Sequence, residues 1–166
     1  LGETDGASDA YNINESSVTA EETNGGPAAT SATIATSTGA KLTGNTNRVS
    51  YHLPPMGGLT AGVSFRDATV AGGDDTTEYG LKYAASTDAA AITVGFTTAT
   101  QEAATQDIDH QAIGVSVVTG GVTFIASQAT YEANNEDITT NGAGASYTLP
   151  NGLTIAAATV KSENDT

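Results

Sequence analysis

Residues 47–66 read NRVSYHLPPMGGLTAGVSFR, and this stretch decides the fold. Two runs of alternating apolar and polar residues flank the central sequence Pro54-Pro55-Met56-Gly57-Gly58. Proline fixes φ and lacks a donor, while glycine tolerates positive φ, so the centre predicts a tight turn. The stretch therefore predicts a β-hairpin with one apolar face. A soluble sandwich and a membrane barrel both contain such hairpins.

Composition argues against an ordinary packed core. The chain has 166 residues with no Trp, 3 Phe and 1 Met, whereas Gly, Ala, Thr, Ser and Asn are abundant. Few side chains are large enough to fill an interior densely. Small residues suit a thin wall better than a packed centre.

Charge and cysteine content exclude several classes of function. The formal net charge is -14, which disfavours a nucleic-acid partner because binding phosphates requires clustered Lys and Arg. The absence of cysteine excludes a disulfide framework, a thiolate nucleophile and a Cys-ligated metal. No apolar run approaches the roughly 20 residues of a spanning helix. A chain of this kind would cross a membrane only as strands.

The first 46 residues show no sustained periodicity. They are rich in Thr, Ser, Ala, Gly and acidic residues, with a breaker at Gly25-Gly26-Pro27. Such a segment cannot bury enough apolar surface to order itself. It is either disordered or held in place by another part of the protein.

From residue 47 onward, a repeat of about 32 residues is built from pairs of strands. The motifs that open the second strand of each pair match one another: Gly58-Leu59-Thr60, Ala91-Ile92-Thr93, Gly121-Val122-Thr123 and Gly152-Leu153-Thr154. The repeat predicts an all-β antiparallel meander. Its eight strands cover residues 47–53, 59–66, 77–84, 90–99, 110–118, 122–131, 141–149 and 153–160.

The predicted connections differ in length at the two ends of the strands. Short turns cover 54–58, 85–89, 119–121 and 150–152, whereas long acidic loops cover 67–76, 100–109 and 132–140. This sorting is typical of outer-membrane barrels, which have short periplasmic turns and long external loops. Tyrosines near both ends would form interfacial girdles: Tyr51, Tyr83 and Tyr147 near the turns, Tyr79 and Tyr131 near the loops.

One residue departs from the alternation. With Val122, Phe124 and Ala126 outward, Ile125 would face the polar side. A β-bulge that shifts the register would account for this.

At this point the chain resembles a known family, the general porins of Gram-negative outer membranes, and especially their alphaproteobacterial branch. The resemblance covers residues 47–160 and lies in the order and spacing of Asn47-Arg48-Val49-Ser50-Tyr51, the proline-glycine turn, Gly58-Leu59-Thr60-Ala61-Gly62-Val63-Ser64-Phe65, Tyr79-Gly80-Leu81-Lys82-Tyr83 and Gly142-Ala143-Gly144-Ala145-Ser146-Tyr147.

The resemblance implies a barrel of about 16 strands, of which this chain would supply about half. Residues 1–46 would be an inward-folded constriction loop that begins with the end of a strand at 1–3, and residues 47–166 would be the wall. The chain lacks a leader, the early strands and a closing aromatic strand, so it would be an internal fragment. A homotrimer, contact with outer-membrane lipid and lipopolysaccharide, and passive diffusion of small hydrophilic solutes and ions are implied as well.

The expected site is a ring of fixed charge in a water-filled lumen. On the inward side of the wall we expect Arg48, Arg66, Glu78 and Lys82. Opposite them we expect acids of the loop, including Glu3, Asp5 and Asp9. Bases on a wall that face acids on a loop would create a field across the pore.

No catalytic constellation is present. His52 and His110 have no acid at the spacing of a metal site or a triad, so we expect no enzyme activity and no cofactor. Clustered carboxylates bind Ca²⁺, which makes Asp74 and Asp75 a weak candidate for calcium, although they match no EF-hand spacing.

Two alternatives to the porin remain at the level of sequence. A secreted structural or adhesive β-protein, such as a fibre or surface-layer domain, would pack the apolar faces of two sheets together. A small closed barrel of eight strands is geometrically allowed, but its interior would be mostly Thr, Ser and Gly.

Overall fold

The structure is a computed structural model that describes residues 2–18, 46–67, 74–102, 106–133 and 136–165. Within these ranges the elements follow one another in a simple order. They are β1 (Gly2–Thr4), helix α1 (Ala7–Tyr11), 3-10 helix η1 (Glu15–Val18), β2 (Thr46–His52), β3 (Leu59–Arg66), β4 (Thr76–Ser86), β5 (Ala91–Gln101), β6 (Ile108–Thr119), β7 (Val122–Ala133), β8 (Glu136–Thr148) and β9 (Thr154–Asp165).

All nine strands form one antiparallel sheet in the order β1 to β9, so each strand pairs with its neighbours in sequence. The predicted antiparallel meander is confirmed, and its eight strands correspond to β2 to β9. Strand β1 adds a short pairing in which Gly2 lies opposite Arg48 and Thr4 opposite Thr46.

Glycines at the hairpin turns explain why the strands reverse where they do. Gly120 and Gly121 alone connect β6 to β7, with φ of 55° and 80°. A two-residue hairpin turn with positive φ at both positions matches the right-handed twist of the strands. Gly57 and Gly58, at φ of 57° and 87°, serve the hairpin between β2 and β3.

The predicted sorting of connections by length is only partly right. At the turn rim the connections are 53–58, 87–90, 120–121 and 149–153, and at the loop rim they are 67–75, 102–107 and 134–135. The loop predicted at 132–140 is wrong, because Glu132 pairs with Asp137 inside the sheet. Both side chains are exposed and stay hydrated, so their charge does not interrupt the backbone ladder.

The two faces of the sheet differ, and exposure separates a barrel wall from a sandwich. The inward face carries Arg48, Ser64 and Glu78 and is covered by the N-terminal residues, whereas the outward face carries the large apolar side chains. Tyr51 is 60% exposed and Ile155 is 62% exposed. Six further apolar residues that alternation predicts on this face are all exposed or half-buried: Leu59, Val63, Ile92, Val94, Val115 and Leu153. Across the described ranges no second sheet covers this face, as a sandwich would require.

The small core lies on the inward side of the sheet. Ala99, Ala112 and Ala129 of the inward face are buried there, together with Tyr11 and Ile13. Among the residues that the structure describes, no helix has the length and apolar character needed to cross a bilayer.

The bulge predicted near Ile125 is wrong. Strand β7 keeps a continuous register with β6, in which Ser116 lies opposite Ile125. Ile125 does face inward, but it is buried against Ile13 and Val18 rather than left in water. A covered apolar residue needs no shift of register.

One tyrosine was assigned to the wrong face. Tyr131 lies opposite His110 on β6 and Ile138 on β8, which places it on the inward side of the sheet. Tyr51, Tyr79, Tyr83 and Tyr147 are exposed on the outward face, as the girdle prediction requires.

Candidate functional site

The boundary between apolar and polar side chains on the outward face runs obliquely across the sheet. On each strand from β3 to β9, one residue is the last apolar one before the loop rim. These are Phe65, Tyr79, Phe96, Ile113, Ala126, Ala143 and Ala157. Because Phe65 lies opposite Thr77 rather than Tyr79, the boundary has moved two residues toward the turn rim between β3 and β4.

The same shift of two residues recurs from β4 to β5, from β6 to β7 and from β8 to β9, and the other two steps are level. The boundary thus moves eight residues over the six steps between neighbouring strands, or about 26 Å along the strands for about 29 Å across them. The slope is about 42°, within the roughly 35–45° tilt of transmembrane β-strands. The apolar band is therefore level with a membrane when the strands are tilted as in a barrel.

The inward face is partly covered by residues 5–18, which we call the inward segment. The segment runs across the strands, with α1 above β3, β4 and β5, and η1 above β7, β8 and β9. Two sets of contacts hold the segment to the sheet. One is a polar anchor at α1, and the other is an anchor at η1 that combines apolar and polar contacts.

The polar anchor is built around a buried ion pair. Arg48 Nη1 donates to Glu78 Oε1 over 3.1 Å, and the two side chains are 1% and 2% exposed. The second carboxylate oxygen of Glu78 accepts from the backbone N–H of Ser8 and from the hydroxyl of Ser64, both at 3.1 Å. The Ser64 hydroxyl in turn accepts from the N–H of Ala7 at 2.9 Å. Glu78 and Ser64 therefore satisfy amides at the first turn of α1 that have no partner within the helix.

Tyr11 connects the helix to the turn side of the sheet. Its hydroxyl shares a 2.8 Å hydrogen bond with Nδ1 of His52. Lys82 Nζ donates to the carbonyl of Ala10 at 3.1 Å and lies 5.7 Å from the centre of the Tyr11 ring. Lys82 thus holds the C-terminal end of α1, where carbonyls favour a cation.

The second anchor combines apolar and polar contacts. Ile13 and Val18 pack on Ile125, and these three form an apolar cluster on an otherwise polar face. Beside them the hydroxyl of Ser127 donates to Glu15 Oε2 at 3.0 Å. Glu15 is 2% exposed, so its carboxylate lies within the contact between segment and wall.

The segment lies directly on six inward-facing glycines of the wall, which we call the glycine seat: Gly62, Gly80, Gly95, Gly114, Gly142 and Gly144. A methyl group at Gly80 would lie 2.7 Å from the carbonyl oxygen of Ala7. At Gly114 it would lie 2.8 Å from the carbonyl carbon of Ile13. Only glycine lets the segment approach this closely.

The structure distributes the predicted wall charges between two environments. Arg48 and Glu78 lie on the inward face, but they are enclosed beneath α1. The prediction that they border open water does not fit this burial, because they hold the segment instead. Arg66 and Lys82 are half-buried on the same face. Arg66 lies opposite Thr76 near the loop rim, on the far side of α1 from Lys82.

The predicted loop acids lie at the start of the chain. Asp5 is exposed and Asp9 half-buried in the inward segment. The backbone of Glu3 pairs with that of Asn47, beside the position of Arg48. The structure thus brings Asp5 and Asp9 to the wall that carries Arg66 and Lys82.

The calcium candidate stays a prediction. Asp74 Oδ2 accepts from the side-chain amide of Gln101 at 2.8 Å, and Asp75 accepts from the N–H of Glu102 through its backbone carbonyl at 2.9 Å. In the ranges that the structure describes, no three Asp, Glu or His side chains gather as a metal site would require. The preceding Gly72 and Gly73 lie outside those ranges.

Sequence reasoning missed the residues that hold the segment. Ser64, Ser127 and Tyr11 carry no motif, and their role depends on contacts between distant parts of the chain. A signal was available in the glycines, since all six glycines inside β3 to β9 fall at inward positions. Glycine weakens a strand and often marks the close approach of another backbone.

These features define a class of protein: a tilted β-barrel wall with an exposed apolar face suited to lipid and a segment of the same chain on its polar face. A family model for Gram-negative porins matches residues 1–166. The chain therefore belongs to the Gram-negative porin family. No curated protein and no solved structure matches it.

Membership places the protein in the outer membrane of Gram-negative bacteria. The family is one of channels, not of enzymes. The secreted structural protein considered from the sequence is thereby set aside. The assignment to the alphaproteobacterial branch stays a prediction.

Proposed function

We propose that this porin allows passive diffusion of small hydrophilic solutes and ions through a water-filled lumen. One observation carries the proposal: a single sheet exposes large apolar side chains on one face and holds a polar segment of the same chain on the other. Water on the inward side and lipid on the outward side satisfy both faces. The position of the inward segment supports a constriction formed by residues 1–46, because this segment would narrow the lumen.

Charge in the lumen would filter ions. Among the residues that the structure describes, Arg66 and Lys82 are the Lys and Arg side chains of the inward face outside the ion pair with Glu78. Asp5 and Asp9 of the inward segment would supply the opposite charge. A field between the two would act on ions that pass, as rings of fixed charge do in other pores.

A homotrimer in contact with lipopolysaccharide is part of the proposal. The family match supports an outer-membrane lipid environment and oligomerisation of the porin type. Electrophoresis of unheated and heated samples would test the oligomer. A single band at monomer size in both, from a sample with intact β-structure, would contradict a trimer.

The function is tested with protein purified from outer membranes in detergent and reconstituted into planar bilayers. Stepwise conductance that grows with salt concentration is the expected result, together with uptake of small sugars by vesicles. Vesicles that remain impermeable to sugars and bilayers that stay silent, with folded protein present, would contradict the proposal.

A further inference from the structure

The glycine seat suggests a determinant of pore width. Every glycine inside strands β3 to β9 faces inward beneath the inward segment, and none faces lipid. Glycine in a strand has an entropic cost and offers no side chain to pack. Six glycines on one face of five strands thus call for a compensating role, which the close approach of the segment supplies.

The closest contacts at the centre of the seat are made by backbone carbonyl groups of the segment. A methyl at Gly114 would lie 2.8 Å from the carbonyl carbon of Ile13 and 2.9 Å from its Cβ. At Gly95 a methyl would lie 2.5 Å from the carbonyl oxygen of Tyr11 and 3.1 Å from Cγ1 of Ile13. A backbone cannot rotate out of the way as a side chain can. The segment would therefore have to move away from the wall.

We propose that Gly95 and Gly114 determine the width of the passage by letting the inward segment lie flat against the wall. Carbon atoms in contact need about 3.5 Å, so any side chain at these positions pushes the segment more than about 0.5 Å into the lumen. This inference rests on the proposed diffusion function. Gly95 and Gly114 would then determine the size of the largest solute that can pass through the channel.

A purely architectural role is the competing explanation. Glycines also allow sheets to curve, and curvature is needed to close a barrel. Replacement by alanine would then change folding or stability and leave the open channel as it was. Conductance of the folded protein separates the two roles.

The test compares Gly114→Ala and Gly95→Ala with the wild type in planar bilayers and in vesicle swelling with sugars of graded size. Both variants are expected to have a lower single-channel conductance than the wild type and a size cut-off at smaller sugars. Ala84→Val is the matched control, because Ala84 is exposed on the same face, away from the segment. Its conductance is expected to equal that of the wild type.

Heat-modifiable mobility on a gel identifies the folded protein in every sample. Folded Gly114→Ala and Gly95→Ala channels with wild-type conductance and cut-off, or with larger values, would overturn the inference. A wild type that does not conduct at all would instead overturn the proposed function, so the two failures can be told apart.

A second pair of variants covers the case in which the central substitutions prevent folding. A methyl at Gly62 would lie 2.7 Å from Nδ1 of His52 on the wall and 2.8 Å from Cε2 of the Tyr11 ring in the segment, and the second contact can be removed. Gly62→Ala is expected to reduce conductance in the wild type and to have a smaller effect when Tyr11 is replaced by Ala. Equal effects in both backgrounds would contradict a contact with the segment.

Discussion

The two faces of the sheet differ in the sequence separation of the residues that determine them. On the outward face, apolar residues alternate along each strand, and the band that they form slopes across the paired strands at the angle of a barrel. On the inward face, the important contacts join residues far apart in sequence, such as Glu78 with Ser8 and Ser127 with Glu15. The lipid-facing surface thus follows from local pattern, and the lumen surface follows from the segment that lies on it.

The largest expected effect concerns the polar anchor. Glu78→Ala removes one partner of Arg48 and the carboxylate that accepts from Ser8 and Ser64. Breaking a buried ion pair by removing one of its members typically costs about 3–5 kcal/mol of unfolding free energy. Denaturant titration of the protein in lipid vesicles would measure this loss.

The control replaces both members of the pair. Arg48→Met combined with Glu78→Leu removes the buried charges together and is expected to recover part of the lost stability. A single Glu78→Ala substitution that costs less than about 1 kcal/mol would show that the inward segment does not depend on the ion pair.

A charge placed on either face tests the comparison directly. Val94→Arg puts a guanidinium on the outward face between Ile92 and Phe96, where an arginine near the bilayer midplane costs about 2–4 kcal/mol. Thr93→Arg puts the same side chain on the inward face, where water would solvate it. We expect a clear difference in unfolding free energy between these two variants, and equal costs would argue against lipid on the outward side.

Truncation of an isoleucine on each face sharpens the contrast. Ile125→Ala and Ile113→Ala each remove apolar area worth about 2 kcal/mol. Only Ile125 touches the inward segment, through Ile13 and Val18. Recordings of the open-channel current are therefore expected to fluctuate more for Ile125→Ala than for Ile113→Ala. Indistinguishable recordings would show that the apolar cluster does not hold the inward segment in place.

The smallest effect on stability belongs to the lumen cations. Arg66→Gln is expected to leave the unfolding free energy within about 0.5 kcal/mol, as for most surface substitutions. It should shift the zero-current potential toward greater cation preference, more strongly at low salt because screening is weaker there. Lys161→Gln is the control, since Lys161 is outward and pairs with Glu163. A shift of equal size in both variants would show that Arg66 does not contribute to ion selectivity.

Much of the fold could be predicted because strand alternation and turn glycines are local signals. The repeat beginning at Gly58-Leu59-Thr60 identified the meander and the hairpins. The failures occur where another part of the chain intervenes. Ile125 suggested a bulge because Ile13 and Val18, which cover it, are more than a hundred residues away. The start of β8 was missed because Glu136 and Asp137 suggested a loop, although hydrated acids can stay in a strand at the rim.

The site was less accessible than the fold for the same reason. Alternation placed Arg48, Arg66, Glu78 and Lys82 on the correct face. It carries no information on which of them a segment 30 to 80 residues earlier would cover. Two of these side chains, Arg48 and Glu78, form the buried ion pair that holds α1, whereas Arg66 and Lys82 lie on opposite sides of the helix. This difference depends on tertiary contacts alone.

The most direct test of the central claim is cysteine labelling along β9, in a protein whose sequence contains no cysteine. Single cysteines at Ile155, Ala156, Ala157 and Ala158 alternate between the outward and inward faces. In lipid vesicles, a water-soluble maleimide is predicted to label positions 156 and 158 readily and positions 155 and 157 poorly. Equal labelling at all four positions would contradict a wall that separates lipid from water.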